Sequence, residues 1–300
     1  MDGATYVIDC GRSSTTQFVQ AGLRFDTLRS IFITHLHADH IADYYNYFLL
    51  AGALPDQETA DALATTVTAY GPGPAGGLPT KFGGGDAPTV SADAPTPGLV
   101  AFTERCHEAF AYSSNILLRD AGIRDIRSLI DVHEIVHPDV GASFTNTSPR
   151  MEPFKVMEDD RVAVTAVLVP HGPVFPSYAF RFDTEHGSVT FSGDTTYSDN
   201  LVTLARGSDV LVHEAINVTG PGVTLPPAAM DHMLQSHVEV QKVGSIAQRA
   251  GVPTLVLSHL VDFDSEPIDS ARWKSWAGQG FDGEVVVGDD LQRISVLRKG

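Results

Sequence analysis

An α/β fold is what this 300-residue sequence predicts, and three observations predict it: short β-rich runs ending in a turn or a charged residue, helix-patterned segments between them, and a 43% hydrophobic content sufficient to bury a core of ordinary size. The runs, in order, are residues 6–9, 30–34, 163–169, 178–182, 188–191, 210–212, 255–257 and 284–287, each short enough for a buried or half-buried strand. Between them the clearest helix pattern covers 237–250, where Val238, Val243, Ile246 and Ala247 share a face and Gly251 sits at the stop. A second pattern begins near His40 and carries Tyr44, Tyr45, Tyr47, Phe48 and Leu49.

The stretch from Gly71 to Gly98 breaks this rhythm. It holds Gly-Pro-Gly-Pro at 71–74, Gly83-Gly84-Gly85, Pro88, Pro95 and Pro97, a composition that predicts a long irregular loop. Residues 99–121 then look helical, with Phe102, Phe110 and Tyr112 as apolar contacts. The expected organisation is one domain over 1–300, with 71–150 as a loop and helix insertion over an active site.

Composition narrows the partners. Twenty basic against 37 acidic residues give a net charge of −17, which disfavours a polyanionic substrate; the longest basic run is the Arg298-Lys299 pair. Two cysteines, Cys10 and Cys106, make no disulfide framework and no metal-binding C-x-x-C pair, so free thiols are expected. No stretch reaches the roughly 18 to 20 apolar residues of a membrane span. The start of the sequence runs into the strand-like residues 6–8 without a charged and apolar leader, so the expectation is a cytoplasmic protein, or a secreted or periplasmic one if a leader has been removed.

The sharpest chemical signal is Thr34-His35-Leu36-His37-Ala38-Asp39-His40, directly after an apolar strand. Residues i and i+2 at a strand end point to one side, so His35 and His37 can hold one ion while Asp39 and His40, on the following turn, face a second. Imidazole with carboxylate suits zinc, manganese or iron. Four residues cannot fill two coordination spheres. Further donors at strand ends are His171, Asp194 in Ser192-Gly193-Asp194-Thr195, and His259.

With these motifs in order, the chain resembles the metallo-β-lactamase-fold hydrolases, in the branch of ribonuclease Z and arylsulfatase-like members. The matching stretches are residues 34–40, Val169-Pro170-His171, 192–195, Val212-His213-Glu214-Ala215, Ser236-His237 and Ser258-His259. The resemblance implies a four-layered αβ/βα sandwich. It implies two divalent ions, Zn2+ with Mn2+ or Fe2+ as alternatives: one held by His35, His37 and His171, the other by Asp39, His40 and His259, with Asp194 bridging. It also implies that Asp39 orients the hydroxide, that His237 reaches the leaving group with Glu214 beside it, and that the chain forms a homodimer. The family's pattern places two strands and a glycine-rich turn ahead of residues 6–11, where this sequence begins, so that edge of the sheet is expected to be short or replaced.

The expected activity is hydrolysis by a metal-bridging hydroxide of a small ester-type substrate: a phosphodiester, sulfate ester or lactone. The alternative is a ribonuclease Z-like endonuclease acting on transfer RNA precursors. Ribonuclease Z enzymes grip transfer RNA with an arm rich in glycine and basic residues, whereas residues 71–98 contain one basic residue, Lys81.

Overall fold

A computed structural model describes residues 3–50, 52–56, 58–264 and 267–296; the Arg298-Lys299 pair lies outside them. The chain divides into two compact units, Met1–Ala75 with Thr96–Val136, and Gly76–Pro95 with His137–Gly300.

The first unit comprises β1 (Thr5–Ile8), α1 (Ser14–Gln20), β2 (Leu28–Phe32), α2 (Ala38–Ile41), α3 (Asn46–Leu49), β3 (Val67–Pro72), α4 (Leu99–Ala109), α5 (Ala111–Asp120) and β4 (Ile130–Ile135). Its sheet runs β1-β2-β3-β4, every pair parallel. The core is aromatic, with Phe18, Phe25 and Tyr47 in mutual ring contact at 4.9 to 5.9 Å and Ile31, Ile33 and Leu99 fully buried nearby.

The helix expected from His40 onward is broken into α2 and α3. The reason lies in the backbone: Cys10 N–H donates to the His40 carbonyl (2.6 Å) and Asp43 N–H donates to the Cys10 carbonyl (2.9 Å). These groups serve the turn after β1 instead of a continuous helical ladder. Within 71–150 the chain adds α4, α5 and also β4, a strand the composition did not announce, which pairs with β3 from Val67↔Ile130 to Pro72↔Ile135. Phe102 packs on the core and Phe110 stacks on Tyr45 (5.4 Å), while Tyr112 is 83% exposed.

The second unit comprises β5 (Phe154–Glu158), β6 (Val162–Leu168), β7 (Tyr178–Thr184), β8 (Gly187–Phe191), α6 (Asp199–Ala205), β9 (Val210–Asn217), α7 (Pro227–Ser236), α8 (Val240–Ala250), β10 (Thr254–Asp262), α9 (Ser270–Ala277) and β11 (Glu284–Val287). Its sheet runs β11-β10-β9-β8-β7-β6-β5. Strands β8 to β11 are parallel, and β6 and β8 are both antiparallel to β7. The carboxyl ends of β6, β8, β9 and β10 therefore share one edge of the sheet, the edge where open α/β sheets place their ligands.

Helix α8 buries Val240, Val243, Ile246, Ala247 and Ala250, one stripe at helical spacing, and ends at Gly251 in the left-handed region (φ 69°). It starts three residues later than the periodicity suggests. His237 follows α7 in extended conformation, and Ile216 pairs with Glu239 across the connection. No helix among the described residues is long and apolar enough to cross a membrane.

Candidate metal centre

In the first unit the strip 35–40 emerges where β2 ends. The His35 ring meets those of His37 and His40 at 4.8 and 4.0 Å between centroids, and His40 Nε2 lies 3.7 Å from Asp39 Oδ2. His35 and His40 are buried, while the Asp39 side chain is 64% exposed.

Asp9, at the end of β1, supports this strip. Its carboxylate accepts from Thr34 N–H (2.7 Å) and the Thr34 hydroxyl (2.8 Å), and bonds His40 Nδ1 (2.8 Å). Thr34 Oγ1 in turn lies 3.0 Å from His35 Nδ1. With Nδ1 engaged, each imidazole is left to bind a metal through Nε2, the arrangement by which outer partners orient ligating histidines. Asp9 adopts φ 58°, a conformation costly for a non-glycine residue, and a Cβ at Gly11 would fall on the Asp39 carbonyl oxygen.

The second unit gathers His171, Asp194, Glu214, His237 and His259 from five separate stretches. His171 follows β6; its Nδ1 bonds the Ser236 carbonyl (2.8 Å), and Gly172 N–H donates to the Gln235 carbonyl (2.9 Å) at φ 50°. Asp194 follows β8 after Gly193 (φ 58°). Glu214 lies within β9, buried, with Oε1 accepting from Val238 N–H (2.9 Å) and standing 3.5 Å from His237 Nδ1. His259 sits on β10 where the register with β9 slips between Ser258 and Leu260, at φ 47°. This bulge turns a side chain that regular pleating would send elsewhere.

The distances fit cation ligation. His259 Nε2, His171 Nε2 and His237 Nδ1 stand 3.4, 3.9 and 4.0 Å from Asp194 Oδ2. Donors each about 2.1 Å from a tetrahedral ion stand about 3.4 Å apart, longer than a good hydrogen bond. The groups His171/Asp194/His237 and Glu214/His237/His259 each place one donor atom per residue within 4.8 Å of the others. Such imidazole and carboxylate donors suit a divalent metal. Burial pushes the Glu214 carboxyl up to about 7, against the hydrogen bond and charge of His237, and burial lowers His213 to about 4, so that it stays neutral.

All seven metal-ligand candidates from the sequence thus lie in two sets, His35, His37, Asp39 and His40 in the first unit and His171, Asp194 and His259 in the second, and His237 and Glu214 join the second set. Asp9 and Thr34 were missed as supporting residues; their signal was an acidic residue closing β1 beside a parallel strand whose own end carries the histidine strip. Cys10 and Cys106 are free thiols, Cys10 fully buried.

Comparison with known proteins adds the family context. A family model described as "Anti-Pycsar protein Apyc1" matches residues 1–46. Ribonuclease Z from Mycobacterium sp. (strain KMS) is 30% identical over 299 residues, covering 98% of this chain and 87% of the relative. Among solved structures, the short form of human tRNase Z (ELAC1) superposes with a TM-score of 0.61 at 22% identity, covering 99% of this chain and 90% of that one. The metallo-β-lactamase fold protein YhfI from Bacillus subtilis gives 0.56 at 17%, covering 97% and 87%. The fold is that of the metallo-β-lactamases.

Proposed function

This chain belongs to the ribonuclease Z family of metallo-β-lactamase-fold hydrolases, and from that premise we propose that it is a two-metal phosphodiesterase that cuts RNA as an endonuclease. That it is a hydrolytic enzyme follows from the family. Of the two substrate classes expected from the sequence, transfer RNA precursors are favoured over a small ester by the 30% identity to a ribonuclease Z over nearly the whole chain.

The observation that carries the reading is the donor set about Asp194, with His259 Nε2 and His171 Nε2 at 3.4 and 3.9 Å from one carboxylate oxygen. The proposed assignment is His35, His37 and His171 for one ion, Asp39, His40 and His259 for the second, and Asp194 for both, with zinc as the favoured metal. When bound, the metals supply water activation near neutral pH and charge neutralisation at phosphorus. The protein's own groups then have distinct tasks. Asp39 orients the attacking water by accepting its hydrogen bond. Glu214 Oε1, 3.5 Å from His237 Nδ1, would hold that side of the ring and leave Nε2 to donate a proton to the departing oxygen. The outer bonds of Asp9, Thr34 and the Ser236 carbonyl hold the histidines against rotation.

A second reading, a phosphodiesterase of small nucleotides, has its own support. The net charge is −17, and the one lysine of residues 71–98, Lys81, is hydrogen-bonded to its own loop at the Gly84 carbonyl (2.9 Å). A panel of precursor transfer RNA, bis-p-nitrophenyl phosphate, an aryl sulfate and a lactone, presented to metal-reconstituted protein, separates the readings. Cleavage of the precursor at low enzyme concentration, weakening steeply with salt, supports the nuclease. Turnover of bis-p-nitrophenyl phosphate with intact RNA favours the small diester. Turnover confined to the lactone or aryl sulfate refutes both.

A further inference from the structure

The second unit carries a polar cleft of about 480 Å³, lined by residues from 148–152, 197–206, Pro170 and Arg249. In a chain with 20 basic residues against 37 acidic ones, this cleft holds three arginines, Arg150, Arg206 and Arg249, against two acids, Glu152 and Asp199. Arg249 is already committed: its Nη2 lies 3.0 Å from Asp199 Oδ1, and its guanidinium sits 5.4 Å from the Tyr197 ring centroid. Tyr197 Oη donates to the same Asp199 oxygen (2.8 Å), and its ring is 42% exposed. Arg150 and Arg206 are exposed, and among the described residues neither has a carboxylate within ion-pair distance. The cleft therefore presents two uncommitted guanidiniums beside an aromatic face.

The frame that holds them is rigid. Buried Asn200 accepts from Met151 N–H (3.1 Å) and donates to the Pro149 carbonyl (2.9 Å) and the Leu168 carbonyl (3.1 Å), tying the segment that bears Arg150 to α6 and to the end of β6. The cleft also adjoins the metal-donor loops: Pro170 precedes His171, and Thr196 N–H, two residues after Asp194, donates to the Pro170 carbonyl (2.9 Å).

We propose that this cleft is a subsite for the phosphodiester backbone of a single-stranded nucleic acid, with Arg150 and Arg206 on phosphates and Tyr197 beneath a base. Planar guanidiniums pair with phosphate oxygens bidentately, and an exposed aromatic ring offers a stacking platform that tolerates any base. The placement gives so acidic a chain a local excess of arginine beside the loops that carry His171 and Asp194. This inference rests on the nuclease reading above.

The test is binding without hydrolysis. Metal-loaded protein is titrated with a fluorescent single-stranded dodecanucleotide carrying phosphorodithioate linkages, which are charged but resist cleavage, and anisotropy is read at several salt concentrations. Arg150→Ala/Arg206→Ala is expected to weaken binding about tenfold and to flatten the logarithmic salt slope by about 1.4, the change that follows when two phosphates of a single strand are no longer neutralised. The charge-matched control Lys155→Ala/Lys274→Ala is expected to change affinity less than about twofold. Thermal melts of both variants report folding. A folded Arg150→Ala/Arg206→Ala protein that binds like the control overturns the subsite. If UMP binds as tightly as the oligonucleotide and loses the same affinity on substitution, the cleft takes a mononucleotide and the strand proposal is likewise overturned. Failure of wild-type protein to cut precursor RNA would instead strike the nuclease reading, since this assay needs no cleavage.

Discussion

The two sets of candidate metal donors, one in each unit, are built in opposite ways. In the first unit four donors occupy residues 35–40, and the chain delivers them at a single strand end; in the second, donors more than 80 residues apart, from His171 to His259, converge because four strands end at one sheet edge. Local delivery needs little topology and much support, which is why Asp9 commits its whole carboxylate to Thr34 and His40. Topological delivery needs a fixed register, and β10 meets that need with a bulge at His259. Each set also involves a residue at positive φ, Asp9 beside the first and His259 within the second, a conformation that costs about 1 to 3 kcal/mol where the residue does not favour it.

Substitutions can break or sharpen this contrast. The largest effect is expected from Asp194→Asn, which removes the carboxylate shared by the convergent set. Turnover of any phosphodiester substrate should fall on the order of 10³-fold or more, and metal content measured by plasma mass spectrometry should fall with it. Unchanged metal content would show that Asp194 does not ligate. Next, Asp9→Asn keeps a residue tolerant of positive φ but weakens the support of His40 and Thr34. Metal affinity, measured by chelator competition, should drop roughly 10- to 100-fold while the protein stays folded. If affinity holds, the local strip needs no such support and the contrast drawn above fails.

A third variant, Gly172→Ala, places a Cβ on Ser236 Oγ at φ 50°, beside the carbonyl that orients His171. It should destabilise by about 1 to 3 kcal/mol in denaturant melts and lower turnover as well. The smallest effect belongs to Ile246→Val in α8. This deletes one buried methyl group, for about 1 kcal/mol of stability, with turnover and metal content unaltered in the folded protein. A change in metal content there would mean that packing behind the sheet sets the donor geometry.

The same contrast explains what could be read from residues alone. The strip 35–40 is legible because its chemistry is contiguous, and His171, Asp194 and His259 were found because each follows an apolar run. Strand β4 stayed hidden: it is a short Ile-Asp-Val-His-Glu-Ile run carrying three polar residues, and its place in the sheet comes from pairing with β3, a nonlocal fact. The broken helix after His40 was invisible for a similar reason, since a turn 30 residues upstream takes its backbone groups. His237 reads as the start of α8 by periodicity, yet α7, opened by Pro226 and Pro227, ends just before it and leaves it extended against Glu214. Asp9 is a single acid in a common Asp-Cys-Gly string, and only the parallel pairing of β1 with β2 gives it a role.

Cys10 sits in the turn that splits the helix after His40, its backbone bonded on both sides to the segment carrying the ligand strip. Its thiol is fully buried, and burial together with the nearby Asp9 and Asp43 charges pushes its pKa well up, so it stays protonated and shielded from electrophiles. Cys106 is only half-buried and is expected to react first. Once Cys106 is capped, the rate at which a thiol reagent labels Cys10 becomes a clock for opening of the turn beneath the histidines. Slower labelling on addition of zinc would measure, in the protein's native sequence, how far the metal clamps that turn shut.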